Sequence, residues 1–283
     1  MSGETTSSTL SELYTEIVAE AEFVINEQSI MKNLVKNYTV AGGGKSVEVP
    51  IYPAVSAASV NEGTDLSNTA VDPGSKTITC SEFGIMTTLT DLARNSAPRN
   101  VAADIGRLFG EAIAKKMDEE IIAKFDGFST SIGDATTAIS AANIFKAAAT
   151  LRGEGLPLNE CYCVLHPSVA YDLKANLTNT FANSNGNDLV NEALREGFIG
   201  RIAGVPIFES ANIPLMTSSN AGDSKGAMFH KDAIGLATMA GLKIETQRDA
   251  SLRAEEIVAT AVFGTVELHD KYGVELFADS SIL

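Results

Sequence analysis

Leu10, Leu13, Ile17, Val18 and Ala21 fall on one face of a helix predicted over residues 8–28, with Glu12, Glu16, Glu20 and Glu27 on the other sides. The apolar stripe is narrow, so this acidic arm needs a surface to dock on. After Gly42-Gly43-Gly44 the period changes from helical to alternating, and Val47, Val49 and Ile51 lead out as a strand limited by Pro50 and Pro53. Residues 59–76 are polar and rich in turn formers, and a returning strand follows with Ile78 and Cys80 on one face. Phe83, Ile85, Thr87 and Leu89 then alternate in the opposite phase, a slip near Glu82 that predicts a bulge. Two strands around so long a polar tip describe a reaching hairpin.

Ser96-Ala97-Pro98 reads as a helix start. From Val101 through Ile105, Phe109, Ile113, Met117, Ile121 and Phe125 the apolar positions keep helical spacing, so a helix of roughly 40 Å is predicted over about 97–126, ended by Gly127. Residues 134–258 mix both periods. Helices are expected near 140–152, after His166-Pro167-Ser168 and over 188–196, and strands at 161–165, 227–229 and 234–240. Gly200 through Ile207 reads as a turn feeding a strand, and the last 27 residues read as long closing strands. There is no internal repeat.

Composition narrows the class. With 283 residues, 45% of them hydrophobic and 20% charged, the chain can bury a large core without staples. No run approaches the ~20 apolar residues of a membrane span. Met1-Ser2-Gly3-Glu4-Thr5 has neither a basic flank nor an apolar run, so neither membrane insertion nor secretion is expected. Three cysteines, Cys80, Cys161 and Cys163, make an odd set that speaks against a disulfide framework. Lys and Arg number 21 against 36 Asp and Glu, a net charge of −15 spread along the whole chain. Gripping nucleic acid through a basic patch is thereby disfavoured, whereas a wall beside nucleic acid suits the charge.

The motifs that could carry chemistry are thin. Gly43-Gly44-Lys45-Ser46 looks like the end of a phosphate-binding loop, but Thr39 stands where the first glycine belongs and a strand is expected where the motif needs a helix. A glycine hinge fits better. Cys161, Cys163 and His166 have metal-type donors, but no fourth ligand is apparent and two cysteines alternating on a short strand suit a core. No metal, cofactor or catalytic residue is expected. Asp118, Glu119 and Glu120 beside Lys115, Lys116 and Lys124 read as a solvated helix face.

The order of elements resembles the tailed-bacteriophage major capsid proteins of the Hong Kong 97-type fold. The resemblance runs along nearly the whole chain. It is carried by Val60-Asn61-Glu62-Gly63 at the hairpin tip, Leu89-Thr90-Asp91-Leu92 before the long helix, and Ala112 through Asp118 on it. His166-Pro167-Ser168, Gly200 through Ile207, Ile257-Val258-Ala259 and Tyr272-Gly273-Val274 complete it.

The resemblance implies an α+β fold with an N-terminal arm at 1–40, an extended β-hairpin loop at 41–92, a peripheral domain at 93–133 and 257–283 with a spine helix at about 97–126, and an axial α/β domain at 134–256. It implies self-assembly into hexamers and pentamers of an icosahedral shell enclosing double-stranded DNA without sequence-specific binding, and no enzymatic activity. The expected place is the virion capsid, assembled in the host cytoplasm. Because the arm begins almost at once, a separate scaffolding protein is expected, together with a portal and a decoration protein. Some members cross-link through a lysine of the extended loop, but Lys45 and Lys76 sit toward its base, so no cross-link is expected. Candidate intersubunit contacts are the acids Glu62 and Asp65 at the tip against Arg94, Arg99, Lys115 and Lys116 near or on the spine helix. Two other readings stay open: a cellular nanocompartment shell of the same fold, and a nucleotide-dependent enzyme using the Gly-rich turn.

Overall fold

The computed structural model describes residues 29–40, 44–53, 70–96, 101–181, 200–216 and 222–282, with positions 55–57, 59–63, 65 and 68 between them. In chain order the elements begin with α1 (Met31–Leu34), β1 (Lys36–Thr39), β2 (Ser46–Ile51), β3 (Gly74–Thr79), β4 (Ser81–Thr90), α2 (Asp91–Ser96) and α3 (Val101–Ile122). They continue with β5 (Ser131–Ala138), α4 (Ala141–Gly153), β6 (Cys161–Leu165), α5 (Pro167–Phe181), β7 (Arg201–Ile202) and β8 (Val205–Glu209). β9 (Ser224–His230), β10 (Ile234–Asp249), β11 (Ala254–Glu267) and β12 (Gly273–Asp279) close the chain.

The strands form a four-stranded sheet in the order β1-β10-β11-β4, a six-stranded sheet in the order β5-β12-β9-β6-β8-β7, and the separate β2–β3 hairpin. Helix α3 lies along the first sheet because its apolar residues recur at helical spacing: Phe109, Ile113, Met117 and Ile121 are all buried. They share one core with Met31, Leu34 and Val35 and with Ile257, Ala259, Ala261 and Phe263 of β11. Each large side chain buried there contributes about 1.5–3 kcal/mol. A second core fills the six-stranded sheet's helix-covered face, where Ile144, Ala147 and Leu151 of α4 meet Cys161, Cys163 and Leu165 of β6 and Leu173 of α5.

Three sequence expectations need correction. The phase slip near Glu82 is not a bulge: the chain changes partner at Cys80, β3 pairing with β2, while β4 pairs with β11 without interruption from Ser81↔Phe263 to Thr90↔Ala254. In this sheet the register shifts lie in β10, between Thr238 and Lys243. The spine helix ends at Ile122 rather than near 126, because its last turn tightens into a 3₁₀ turn, Phe125–Gly127, that swings Phe125 into the core.

Sheet membership does not follow chain order. β10, inside the range 134–256, belongs to the four-stranded sheet, and β12, inside the range 257–283, belongs to the six-stranded one. The turn Asp270–Tyr272 redirects the chain between sheets, and Gly273 is required there because a Cβ would collide with the ring of Phe128. Finally, β5 is a strand the sequence pattern did not announce. The arm helix over 8–28, the helix over 188–196 and the helix start at 97–100 lie outside the described residues.

Candidate assembly surfaces

The extended hairpin is fastened at its root and open at its apex. β2 and β3 pair from Ser46↔Thr79 to Ile51↔Gly74, and the Cys80 N–H donates to the Lys45 carbonyl at 3.0 Å. Val49, Ile78 and Cys80 form a small core with Ala237 and Leu268, so the hairpin leaves the four-stranded sheet from a packed base. Two glycines permit that approach: Gly235 faces Ile78, and Gly264 faces the backbone of Thr79 and Cys80. Beyond the root the pattern inverts. Tyr52 is 67% exposed and Val55 61%, with Val60 and Val71 also in water. Four large apolar side chains on one exposed loop are surface left for a partner.

Glu62 and Asp65 are exposed on this loop, as the sequence suggests. Among the described residues neither forms an ion pair. Lys115 is exposed and Lys116 half-buried on α3, each paired one turn along its own helix, with Glu119 at 3.9 Å and Glu120 at 2.8 Å. Lys116 also sits over the Phe83 ring at 5.5 Å. Arg99 and the side chain of Arg94 lie outside the described residues. Within one chain, then, the described acids and lysines are not brought together.

A second surface was not foreseen. At the β10–β11 turn, Asp249 Oδ1 accepts from the Ser251 N–H and Oγ–H and from the Leu252 N–H at 2.6–3.2 Å. Arg248 holds Asp91 through two bonds at 2.6 and 2.5 Å, and the Asp91 N–H donates to the Arg253 carbonyl at 3.0 Å. This bracing presents Leu92 and Leu252 to solvent, 80% and 59% exposed. The Asp-x-Ser spacing was the available sequence signal for the turn.

The motifs with possible chemistry take structural places. Cys161 and Cys163 are fully buried, and burial pushes the Cys161 thiol up to about 11, with Glu160 adding to it, and Cys163 higher still. His166 lies 2.6 Å from the Ser168 Oγ and accepts from the Ser168 N–H, while its carbonyl accepts from the Ala170 N–H, so it opens α5. Partial burial holds its imidazole below the usual range. Ser46, after the Gly-Lys pair, starts a strand, so no helix N-terminus stands there to receive a phosphate. Asp118 does not share the solvated face with Glu119 and Glu120, being only 1% exposed.

A family model described as phage capsid protein matches residues 74–274, from β3 to the start of β12. The chain belongs to the phage capsid protein family. That is the kind of family the order of motifs suggested. Three solved structures share the capsid protein's fold at low identity. A chain from Mycobacterium phage Che8 has a TM-score of 0.72 and 22% identity, with 88% of this chain and 91% of that one covered. The capsid of Cyanophage P-SCSP1u gives 0.70 and 21%, with 89% of each chain covered. The head of Helicobacter pylori bacteriophage KHP40 gives 0.69 and 14%, with 87% and 88% covered. No curated protein sequence matches significantly. At these identities the likeness speaks for a shared α+β fold.

Proposed function

We propose that the chain is the major capsid protein of a tailed bacteriophage, assembling as hexamers and pentamers into an icosahedral Hong Kong 97-type shell around double-stranded DNA. The observation that carries this, beside the family, is the hairpin whose root is packed and whose apex exposes Tyr52, Val55, Val60 and Val71. A monomer gains nothing from such a loop, whereas a closed shell lays it across a neighbour. The role is structural rather than catalytic. Glu62 and Asp65 would meet basic groups of a neighbour's spine region, with Lys115, Lys116, Arg94 and Arg99 the candidates.

The peripheral domain is best drawn as α3 with β4, β10 and β11, the axial domain as the six-stranded sheet with α4 and α5, and the residues before 41 as the arm, whose β1 adds a strand to the peripheral sheet. A scaffolding protein, a portal and a decoration protein are the partners such a shell would use, and host cytoplasm is the place of assembly. Chromatography with light scattering on the purified chain tests the association. Capsomer-sized or larger species support it, and a stable monomer of 29.8 kDa at high concentration overturns it. Particles that hold a cargo peptide on the inner wall instead of DNA would favour a nanocompartment.

A further inference from the structure

Asp118 sits deep in the second half of α3, among the buried apolar residues Ala114, Ile121 and Ile122 of its own helix. Its Oδ1 accepts from the Ser29 Oγ–H at 2.8 Å and the Met31 N–H at 3.3 Å, and its Oδ2 accepts from the Asn212 amide at 3.5 Å. Three parts of the chain thus meet on one carboxylate: the segment entering α1, the spine helix and the loop after β8. α1 has no side-chain cap of its own neighbours, so Asp118 supplies the cap from 87 residues away. The segment it holds is the root of everything N-terminal to Ser29.

Among the described residues the carboxylate has donors but no cation. Charged groups on the packed elements are Lys32 after Met31, Glu209 before the Asn212 loop, Glu82 on β4 and Glu255, Glu256 and Glu267 on β11; Asp104, Arg107 and Glu111 share its helix farther toward the N-terminus, and Lys115, Lys116, Glu119 and Glu120 share it close by. The groups that act on it are instead Ser29, Met31, Ile30 and Asn212. An ion buried without a counter-charge is costly even when hydrogen bonded, and such groups persist where they fix a specific arrangement.

We propose that Asp118 makes this junction a charge-loaded joint, which holds residues 29–35 tightly when its carboxyl is neutral and releases them more readily when it is ionised. Burial raises the Asp118 pKa above the ordinary aspartate value, and its hydrogen bonds recover only part of that rise. The anchored form therefore binds the proton more tightly than a released form with Asp118 in water. Anchoring is strongest below the ordinary aspartate value and weakens as pH rises through the higher value of the anchored form. The device couples the trajectory of the leading segment to the spine helix and makes that coupling adjustable.

Amide hydrogen exchange on the full chain tests it, followed at Met31 and at Asn33, whose N–H donates to the Ile30 carbonyl. After correction for intrinsic exchange, protection should rise as pH falls from neutrality toward the ordinary aspartate value, by up to about tenfold per unit of pH within the titration interval. Asp118→Asn keeps the shape without the charge and should show high, pH-independent protection there. Protection in the wild type that ignores pH, or a looser segment in Asp118→Asn than in the wild type near pH 8, overturns the proposal. Asn212→Ala is the second variant, because it removes a donor from the ionised carboxylate while leaving Asp118 in place. It should lower protection at high pH and move the transition upward, and an unchanged profile would count against the joint.

Discussion

Gly264 of β11 faces the carbonyl of Thr79 so closely that a Cβ at position 264 would overlap it. The last residue of β3 thereby lies directly over the middle of the four-stranded sheet, and the extended hairpin takes its direction from that crossing. Gly264→Ala should cost about 1–3 kcal/mol through overpacking, and it should tilt or loosen the hairpin root. Thermal melting reports the first effect, and exchange of the Cys80 amide, bonded to the Lys45 carbonyl, reports the second. An unchanged melting temperature and an unchanged root would show that the crossing tolerates a methyl group.

Cys161 and Cys163 should behave as core residues. Double substitution by alanine should destabilise the fold by about 1–3 kcal/mol in total, with no loss of a bound metal by elemental analysis. The thiol of Cys161 ionises near 11 in the fold against 9.0 ordinarily. Because that value is raised, its contribution to stability is fully present below about pH 9 and declines as pH rises toward 11. A thiol reagent that labels both cysteines of the folded protein rapidly at neutral pH would contradict the burial.

Charge reversal at the apex separates folding from association. Glu62→Lys with Asp65→Lys should change stability by less than about 0.5 kcal/mol, because both side chains are exposed and unpaired among the described residues. Assembly at low ionic strength should weaken, and matching reversals at Lys115 and Lys116 should restore part of it if the two surfaces meet across subunits. Rescue that survives high salt would point to packing rather than charge, since exposed pairs are screened.

Much of this architecture is written in local patterns. The hairpin shows as alternation interrupted by residues 59–76, the spine helix as Phe109, Ile113, Met117 and Ile121 four apart, and α4, β6 and α5 as periods that change at turn residues. The missed features depend on distant partners. β5 buries only Ile132, so it carries no alternation to read, and its place comes from pairing with β12. The sheet change at Cys80 produces the same phase slip as a bulge. Asp118 has acidic neighbours that belong on a solvated face, and only its contacts with Ser29 and Asn212 reveal that it turns inward. The acids of the apex were legible as exposed, and in the proposed shell what they touch would lie in another copy of the chain.

Electron microscopy of the purified full chain, alone and with a scaffolding protein, tests the central claim most directly. Closed icosahedral particles are expected, each apex around residues 52–71 seated on a neighbouring subunit, with assembly lost when residues 61–72 are deleted although circular dichroism and melting still show a folded chain. Normal particles from the deletion, or shells whose apices stand free in solvent, would contradict the account.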